Sequence, residues 1–314
     1  MKKLFILLGG IGKEREVSLS SGRNVCRLLE EENIQYESII VEADRSWNYK
    51  DTVVTEEEGI SILQDENALV FQVIHGRYGE DGELANLLEA VGISCIGSYS
   101  DVMKLTIDKY TTEKKLQEHA VRTTVSLAMG NGFDIEHTEI GFPVMVKPKD
   151  EGSSVALYKV KNKQELQRVL EESVPHHGVM LVQEFVVGRE FTCGVAEIDG
   201  KTIALSPTEI ILTKGETFDY AAKYTIGGSR EITPAEVDAI ITKKIQDSAL
   251  QVHMICGCKD ISRTDMILRA NGELVVLEIN TIPGMTETSF IPAQLAVSGY
   301  SVADFIKGML EKYR

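Results

Sequence analysis

Toward its carboxyl-terminal end the chain reads "LVVLEINTIP", Leu274 to Pro283, in which four apolar residues are followed by Glu278 and, two positions on, Asn280. Residues two apart in an extended strand share a face, so a run that reads as core ends with a carboxylate and an amide side by side. Upstream, "RTDMIL" carries Asp265 on another apolar run, and Gly272 lies between the two runs as a turn. A hairpin would bring these three oxygen-bearing side chains together. Hard oxygen donors suit Mg²⁺, which takes few protein ligands and fills its octahedron with water and phosphate, so the group points to a nucleotide.

Four more stretches carry chemistry. In "VMVKPKDEGSSV" a strand ends at Lys147 and Pro148 and is followed by Glu151, Gly152, Ser153 and Ser154. Glycine allows close backbone approach, successive N–H groups and serine hydroxyls hold phosphate oxygens, and lysine neutralises their charge. Walker spacing is absent, and on its own the stretch reads as a surface turn; it gains meaning beside a magnesium group. In "LVQEFVVGRE" an apolar strand runs into a short linker and Glu190, an edge against which a flat base can lie while the carboxylate reaches ribose hydroxyls. "LLGGIGKEREVSLSSG" lacks G-x-G-x-x-G spacing, so a dinucleotide fingerprint is not supported. "HGRYGEDGE" is too polar and glycine-rich for a mere connector, although His75 alone reads as structural.

The elements that must hold these groups follow two grammars. The first part alternates "LFILL", a helix from about Ser18 to Glu31, "YESIIVE", "ALVFQVI" and a helix through "LANLLEAVG". This is βαβ order and implies a parallel sheet with loops at its carboxyl edge. A long polar helical stretch from Ser98 to about Glu118 then leads to strands joined by short turns and one helix, which reads as a mainly antiparallel α+β unit. Asn162 and Glu165 have capping-box spacing. Thr233, Pro234 and Glu236 read as the start of another helix, with N-cap, first-turn proline and N3 glutamate. "GETFDYAAKYTIGGSREIT" is long and aperiodic for a connector, the mark of a functional or disordered loop.

Composition limits the partners. The 314 residues exceed one comfortable core and imply two or three packed domains. With 33 Lys+Arg against 48 Asp+Glu the net charge is -15, which argues against non-specific binding to nucleic acid or anionic membrane. No apolar run approaches the ~20 residues that cross a bilayer, and "MKKLFILLGG" reads as a first buried strand rather than a signal peptide. Five scattered cysteines do not form a secreted disulfide pattern, and the pair Cys256 and Cys258 reads as two half-buried thiols; a reducing cytoplasm is expected.

Taken in order, "EREVSLSSG", "HGRYGEDG", Asp108-Lys109, "VKPKDEGSSV", "DYAAKY", "RTDMI" and "LEINTIPGMTETS" resemble the D-alanine-D-alanine ligase family of the ATP-grasp superfamily over nearly the whole chain. The resemblance implies an α/β and α+β, three-domain ATP-grasp fold. Residues 1–97 would form a Rossmann-like (pre-ATP-grasp) substrate domain, 98–187 a central lid domain, and 188–314 the catalytic domain. It implies that ATP phosphorylates the carboxylate of one D-alanine and that the amine of a second attacks the acyl phosphate, giving a dipeptide for peptidoglycan. By the same resemblance Lys109, Lys147, Gly152, Ser154, Gln183, Glu184, Val186, Glu190 and Lys223 bind ATP. Asp265, Glu278 and Asn280 hold two Mg²⁺ ions, for which Mn²⁺ can substitute. Arg263 and the Gly284 N–H face the tetrahedral oxyanion. Glu14 pairs with the first ammonium, Ser153 and Tyr224 close the site, and His75, Ser289 and Phe290 line the substrate subsites. A cytoplasmic homodimer is also implied.

The chain departs from the family pattern at Ile11-Gly12, Ala85-Asn86, Ala221, Gln183 and Phe290, none of them a proposed metal or phosphate ligand. Two alternatives therefore stand beside the D-alanine reading. One is a paralogue with a different second amino acid or dipeptide product. The other is a non-catalytic nucleotide-binding protein, which would have no use for an oxyanion arginine.

Overall fold

The computed structural model of the protein describes residues 2–135, 140–152, 156–213 and 228–314. Its strands lie in three sheets. In the first, β1 (Lys3–Gly9) pairs in parallel with β2 (Glu37–Val41) and β5 (Ala68–Gln72), and β5 pairs in parallel with β6 (Ser94–Ile96). The expected parallel sheet is extended by an antiparallel edge, β3 (Trp47–Tyr49) and β4 (Thr52–Val54), whose turn residues Lys50 and Asp51 both have positive φ. Helices α1 (Arg15–Glu31), α2 (Glu56–Asp65) and α3 (Glu83–Ala90) cover this sheet.

Helix α1 begins three residues before the expected Ser18. That serine is not an N-cap: its hydroxyl accepts from Gly9 N at 2.9 Å and donates to Val73 O at 2.7 Å, tying together the chain leaving β1 and the chain leaving β5. A Cβ on Gly22 would lie 2.5 Å from the Leu8 side chain, so glycine there lets α1 settle onto β1. Both details hold the loop of residues 9–14 at the carboxyl edge of the sheet.

The stretch expected as one helix after Ser98 is two, α4 (Ser100–Ile107) and α5 (Lys109–Glu118). They break at Asp108, which leaves helical geometry, caps Thr111 N at 3.0 Å and binds Lys149 at 2.6 Å. The second sheet is antiparallel in the order β7 (Ser126–Met129), β10 (Met180–Glu184), β8 (Val144–Pro148), β9 (Tyr158–Val160), with α6 (Lys163–His177) packed on it. Asn162 caps α6 through Glu165 N at 2.9 Å, but the Glu165 carboxylate accepts from Lys161 N rather than from Asn162, so only half of the expected box forms.

The third sheet is antiparallel and runs β14 (Ser229–Ile232), β13 (Thr208–Leu212), β11 (Arg189–Ile198), β15 (Ile261–Leu268), β16 (Leu274–Asn280), with β12 (Lys201–Ala204) also on β11. Helix α7 (Ala239–Cys256) crosses it. This helix does not start at Thr233. The Thr233 hydroxyl is held by that of Thr208 at 2.6 Å, and Asp238 supplies the cap, accepting from Ile241 N at 2.8 Å. Two helices, α8 (Phe290–Val297) and α9 (Val302–Lys312), complete the fold.

The first and third sheets share a core in which Leu4, Ile6 and Leu8 meet Ile198, Ile261 and, from α9, Phe305 and Ile306. The second sheet has its own, built from Val144, Val146, Leu166, Leu170, Met180 and Val182. Asp260, with its side chain fully buried, accepts from Gly97 N, Lys312 Nζ and Tyr313 Oη, each at 2.8 Å, and so fastens the exit of the first sheet to α9. Among the described residues no helix is long and apolar enough to cross a membrane. All five cysteines are free, and burial pushes the Cys256 and Cys258 thiols up to about 11 and 12, as inert packed thiols require.

Candidate active site

The hairpin of β15 and β16 sets Asp265 opposite Glu278 and Arg263 opposite Asn280. Period-two alternation would send Leu277 and Glu278 to opposite faces. A bulge beside Asp265 shifts the register so that Met266 pairs with Val276, and both Leu277 and Glu278 line one cavity. Arg263, two residues before Asp265 and on its face, grips it with a fork: Nε to Oδ1 at 3.0 Å and Nη2 to Oδ2 at 2.9 Å. Thr192 Oγ1 donates to the same Oδ1 at 2.6 Å. Burial works against the Arg263 charge, but the Asp265, Glu278 and Glu80 carboxylates outweigh it and keep the guanidinium protonated.

Glu278 lies between two lysines from other elements. Lys147, on β8, is 3.6 Å from its Oε2; Lys109, at the start of α5, is 3.9 Å away and donates to Glu151 O at 2.7 Å. Asn280 accepts from Ile282 N at 2.7 Å and donates to Glu80 Oε1 at 3.3 Å. Asp265, Glu278 and Asn280 thus form an all-oxygen donor set whose carboxylates already face cations, the charge pattern that a site for Mg²⁺ and phosphates needs.

Two cavities meet here. One, of about 650 Å³, is lined by Glu14, His75, Glu80, Arg263, Gly284, Ser289 and Phe290; the other, of about 500 Å³, by Met145, Lys147, Gln183, Val186, Glu190 and Leu277. Lys109, Gly152 and Glu278 line both. The first is polar. Glu14 ends the loop before α1, and a Cβ on Gly152 would come within 3.2 Å of its carboxylate and 3.4 Å of that of Glu80. Glycine at 152 therefore lets the backbone that follows β8 approach both acids. His75 is buried, with Nδ1 3.5 Å from Glu80 Oε1 and Nε2 3.3 Å from Ser21 Oγ. Ser289 Oγ accepts from Thr286 N at 3.0 Å, and the Arg263 guanidinium lies over the Phe290 ring at 5.6 Å.

The second cavity has apolar walls, including Met145, Val186, Ile267 and Leu277. Gln183 and Glu184 end β10 at its edge, and the Glu184 carboxylate is taken by Arg269 at 2.9 Å and Arg122 at 3.3 Å. Glu190 follows the expected short linker, residues 185–188, and is the second residue of β11, opposite Ile210 and Ile267. Ser153, Ser154, Lys223 and Tyr224, like Ala221, lie outside the described residues.

Sequence reading passed over two cavity residues. Glu80, buried between His75 and Asn280, is one carboxylate among several in "HGRYGEDGE"; its spacing of five from His75 was the available signal. Glu231, on β14, lines the first cavity, and burial raises its carboxyl against the pull of Arg263 and Ser229. Nothing in its local sequence marks it.

The carboxyl-terminal family model for D-ala D-ala ligases matches residues 115–311. A D-alanine--D-alanine ligase of Syntrophotalea carbinolica is 35% identical over 98% of this chain and 95% of its own, and one of Clostridium beijerinckii is 32% identical over 98% and 97%. Among solved structures, the VanG D-Ala:D-Ser ligase from Enterococcus faecalis superposes with a TM-score of 0.85 at 29% identity, covering 100% of this chain and 99% of that one. The D-alanine-D-alanine ligase from Coxiella burnetii shares the fold at a TM-score of 0.81 and 22% identity, over 99% of this chain and 93% of its own. The mixed α/β and α+β architecture is the ATP-grasp fold. On the family model and on relatives matched from end to end, the chain belongs to the D-alanine-D-alanine ligase family.

Proposed function

We propose that the protein is an ATP-dependent ligase that joins two D-alanines through an acyl phosphate and supplies the dipeptide for peptidoglycan precursor synthesis. The observation that carries this reading is the meeting of a polar cavity and an apolar-walled one at Glu278, Lys109 and Gly152. A base lying in the second cavity, near Val186 and Leu277, would bring its terminal phosphate to Lys147 and Lys109. An amino acid in the first would present its carboxylate to the same point. Such convergence supports phosphoryl transfer between the two by positioning and electrostatics.

Asp265, Glu278 and Asn280 would hold two Mg²⁺ ions, which when bound offset the charge gathering on the transferred group. Glu14 would take the ammonium of the first D-alanine, with Glu80 and His75 behind it. The Arg263 fork, freed in part from Asp265, and the Gly284 N–H would receive the oxyanion that forms when the second amine attacks. Ser289 would hold the second carboxylate. Ser153, Ser154, Lys223 and Tyr224 keep the roles the family resemblance gives them, closing the site and binding ATP. We read residues 1–97, 98–187 and 188–314 as three domains, and by resemblance a cytoplasmic homodimer.

A second reading has the same chemistry with another second amino acid. It is favoured by Phe290, which lies against Arg263 where the acceptor would sit, and by the likeness to a D-Ala:D-Ser ligase. A panel of D- and L-amino acids, singly and paired, with ADP release followed and products identified by mass, tests both readings. Dipeptide from D-alanine alone is expected. ADP released at an equal rate without any amino acid would end the ligase reading.

A further inference from the structure

The orientation of Gln183, at the edge of the second cavity, is set from behind. Gln183 is 3% exposed and lines that cavity with Thr124. Its amide nitrogen donates to Glu113 Oε1, to Thr124 Oγ1 at 2.9 Å and to Ser126 Oγ at 2.8 Å. All these bonds run through Nε2. The two arms of a planar amide point apart, so Oε1 is the arm left for the cavity.

Glu113, on α5, stands behind this pair and is 2% exposed. Thr124 Oγ1 donates to its Oε1 at 2.5 Å, while its Oε2 is buried with no hydrogen-bond partner among the described residues. A buried carboxylate with an unpaired oxygen is costly, and the helix does not need one there. Its effect on Gln183 is specific: an ionised carboxylate only accepts, so the amide can face it with N–H and not with oxygen. Burial raises the Glu113 carboxyl, and the hydroxyls of Ser126 and Thr124 and the charge of Lys147 oppose that rise.

We propose that Glu113 is a positioning residue that locks the Gln183 amide so that its oxygen meets the cavity and selects a purine with an amine at position six over one with a carbonyl. The inference rests on reading this cavity as the nucleotide site. Adenine donates an N–H to that oxygen. Guanine would set oxygen against oxygen, and a site built to pair with a donor rejects its absence strongly.

The test uses the full chain, with ADP and GDP binding measured by calorimetry and ATP and GTP turnover measured at fixed D-alanine. Wild type is expected to prefer the adenine nucleotide by about 10²-fold or more. In Glu113→Gln the new amide can donate to Gln183 Oε1 and release its N–H arm to the cavity. The preference should then fall about tenfold, through the KM for nucleotide and not that for D-alanine. Gln183→Leu removes the acceptor and should also erase the preference, which keeps the test open if Glu113→Gln does not fold. Equal binding of ADP and GDP by wild type would overturn the inference and leave the ATP reading intact. Parallel loss of both nucleotides in Glu113→Gln, with the ratio unchanged, would make Glu113 merely structural and also overturn it. Binding of neither nucleotide by wild type would overturn both readings.

Discussion

Replacing Arg263 with lysine keeps the charge and removes the fork. The guanidinium now makes two bonds to Asp265, at 3.0 and 2.9 Å, with the two side chains only 12% and 14% exposed. An ammonium can keep one of these bonds, so one charge-assisted hydrogen bond of about 1.5–3 kcal/mol is lost. Poorer contact with the Phe290 ring, 5.6 Å away, adds roughly 0.5–1 kcal/mol. The stability cost should therefore be about 2–4 kcal/mol, readable as a lower urea midpoint. The catalytic cost should be larger in proportion: loss of one donor aimed at a developing oxyanion lowers kcat by about 10²–10³-fold, or ~2.7–4 kcal/mol. ADP release at saturating ATP and D-alanine measures it. A variant destabilised as expected but with kcat within threefold of wild type would show that the fork is a structural ion pair, and the oxyanion assignment would fall.

Other perturbations separate site from scaffold. Glu278→Gln removes the carboxylate between Lys147 and Lys109, so turnover should fall at least ~10²-fold and the Mg²⁺ needed for half activity should rise, with far-UV dichroism unchanged; normal turnover at normal Mg²⁺ would refute a metal role. Phe290→Leu should raise the KM of the second amino acid about threefold to tenfold while sparing that of ATP, since a cation–ring contact of ~0.5–1.5 kcal/mol is lost. Asp260→Asn preserves shape but uncouples Lys312, and should cost about 3 kcal/mol in urea unfolding with little effect on KM. Burial lowers the pKa of His253 to about 4, whereas in the unfolded chain it titrates near its ordinary value of ~6.5. Between those values the unfolded state binds the extra proton, so stability should be full above pH ~6.5 and fall by about 3 kcal/mol as pH drops toward 4. His253→Gln should flatten that dependence, and an unchanged slope in unfolding curves at pH 7 and 5 would refute it.

The hairpin that carries Asp265, Glu278 and Asn280 was legible because strand periodicity and Gly272 are local facts. Its bulge was not, because it depends on the partner strand, and it decides that Leu277 lines the same cavity as Glu278. Ser18 and Thr233 both have the chemistry of helix caps, yet each is drawn to a tertiary partner, Ser18 to Gly9 and Val73 and Thr233 to Thr208. The hairpin of β3 and β4 turns at Lys50-Asp51 with positive φ and none of the glycine or asparagine that usually signals such a turn. Glu113 and Glu231 gain meaning only when distant segments converge on them, which a reading along the chain does not reveal.

The packing of α9 bears on the order in which the protein is made. Val302, Phe305, Ile306 and Met309 cover the same core that begins with Leu4 and Ile6, and Phe305 meets Phe71 edge-on at 6.1 Å. During vectorial synthesis the first sheet emerges long before the helix that seals it, since domains fold as the ribosome releases them. Until then one apolar face of a nascent sheet stands open, a target for chaperones and a hazard for aggregation. The second sheet, whose core closes within residues 129–182, waits for nothing downstream. Slowed translation or premature release near residue 300 should therefore damage the amino-terminal part of the molecule first.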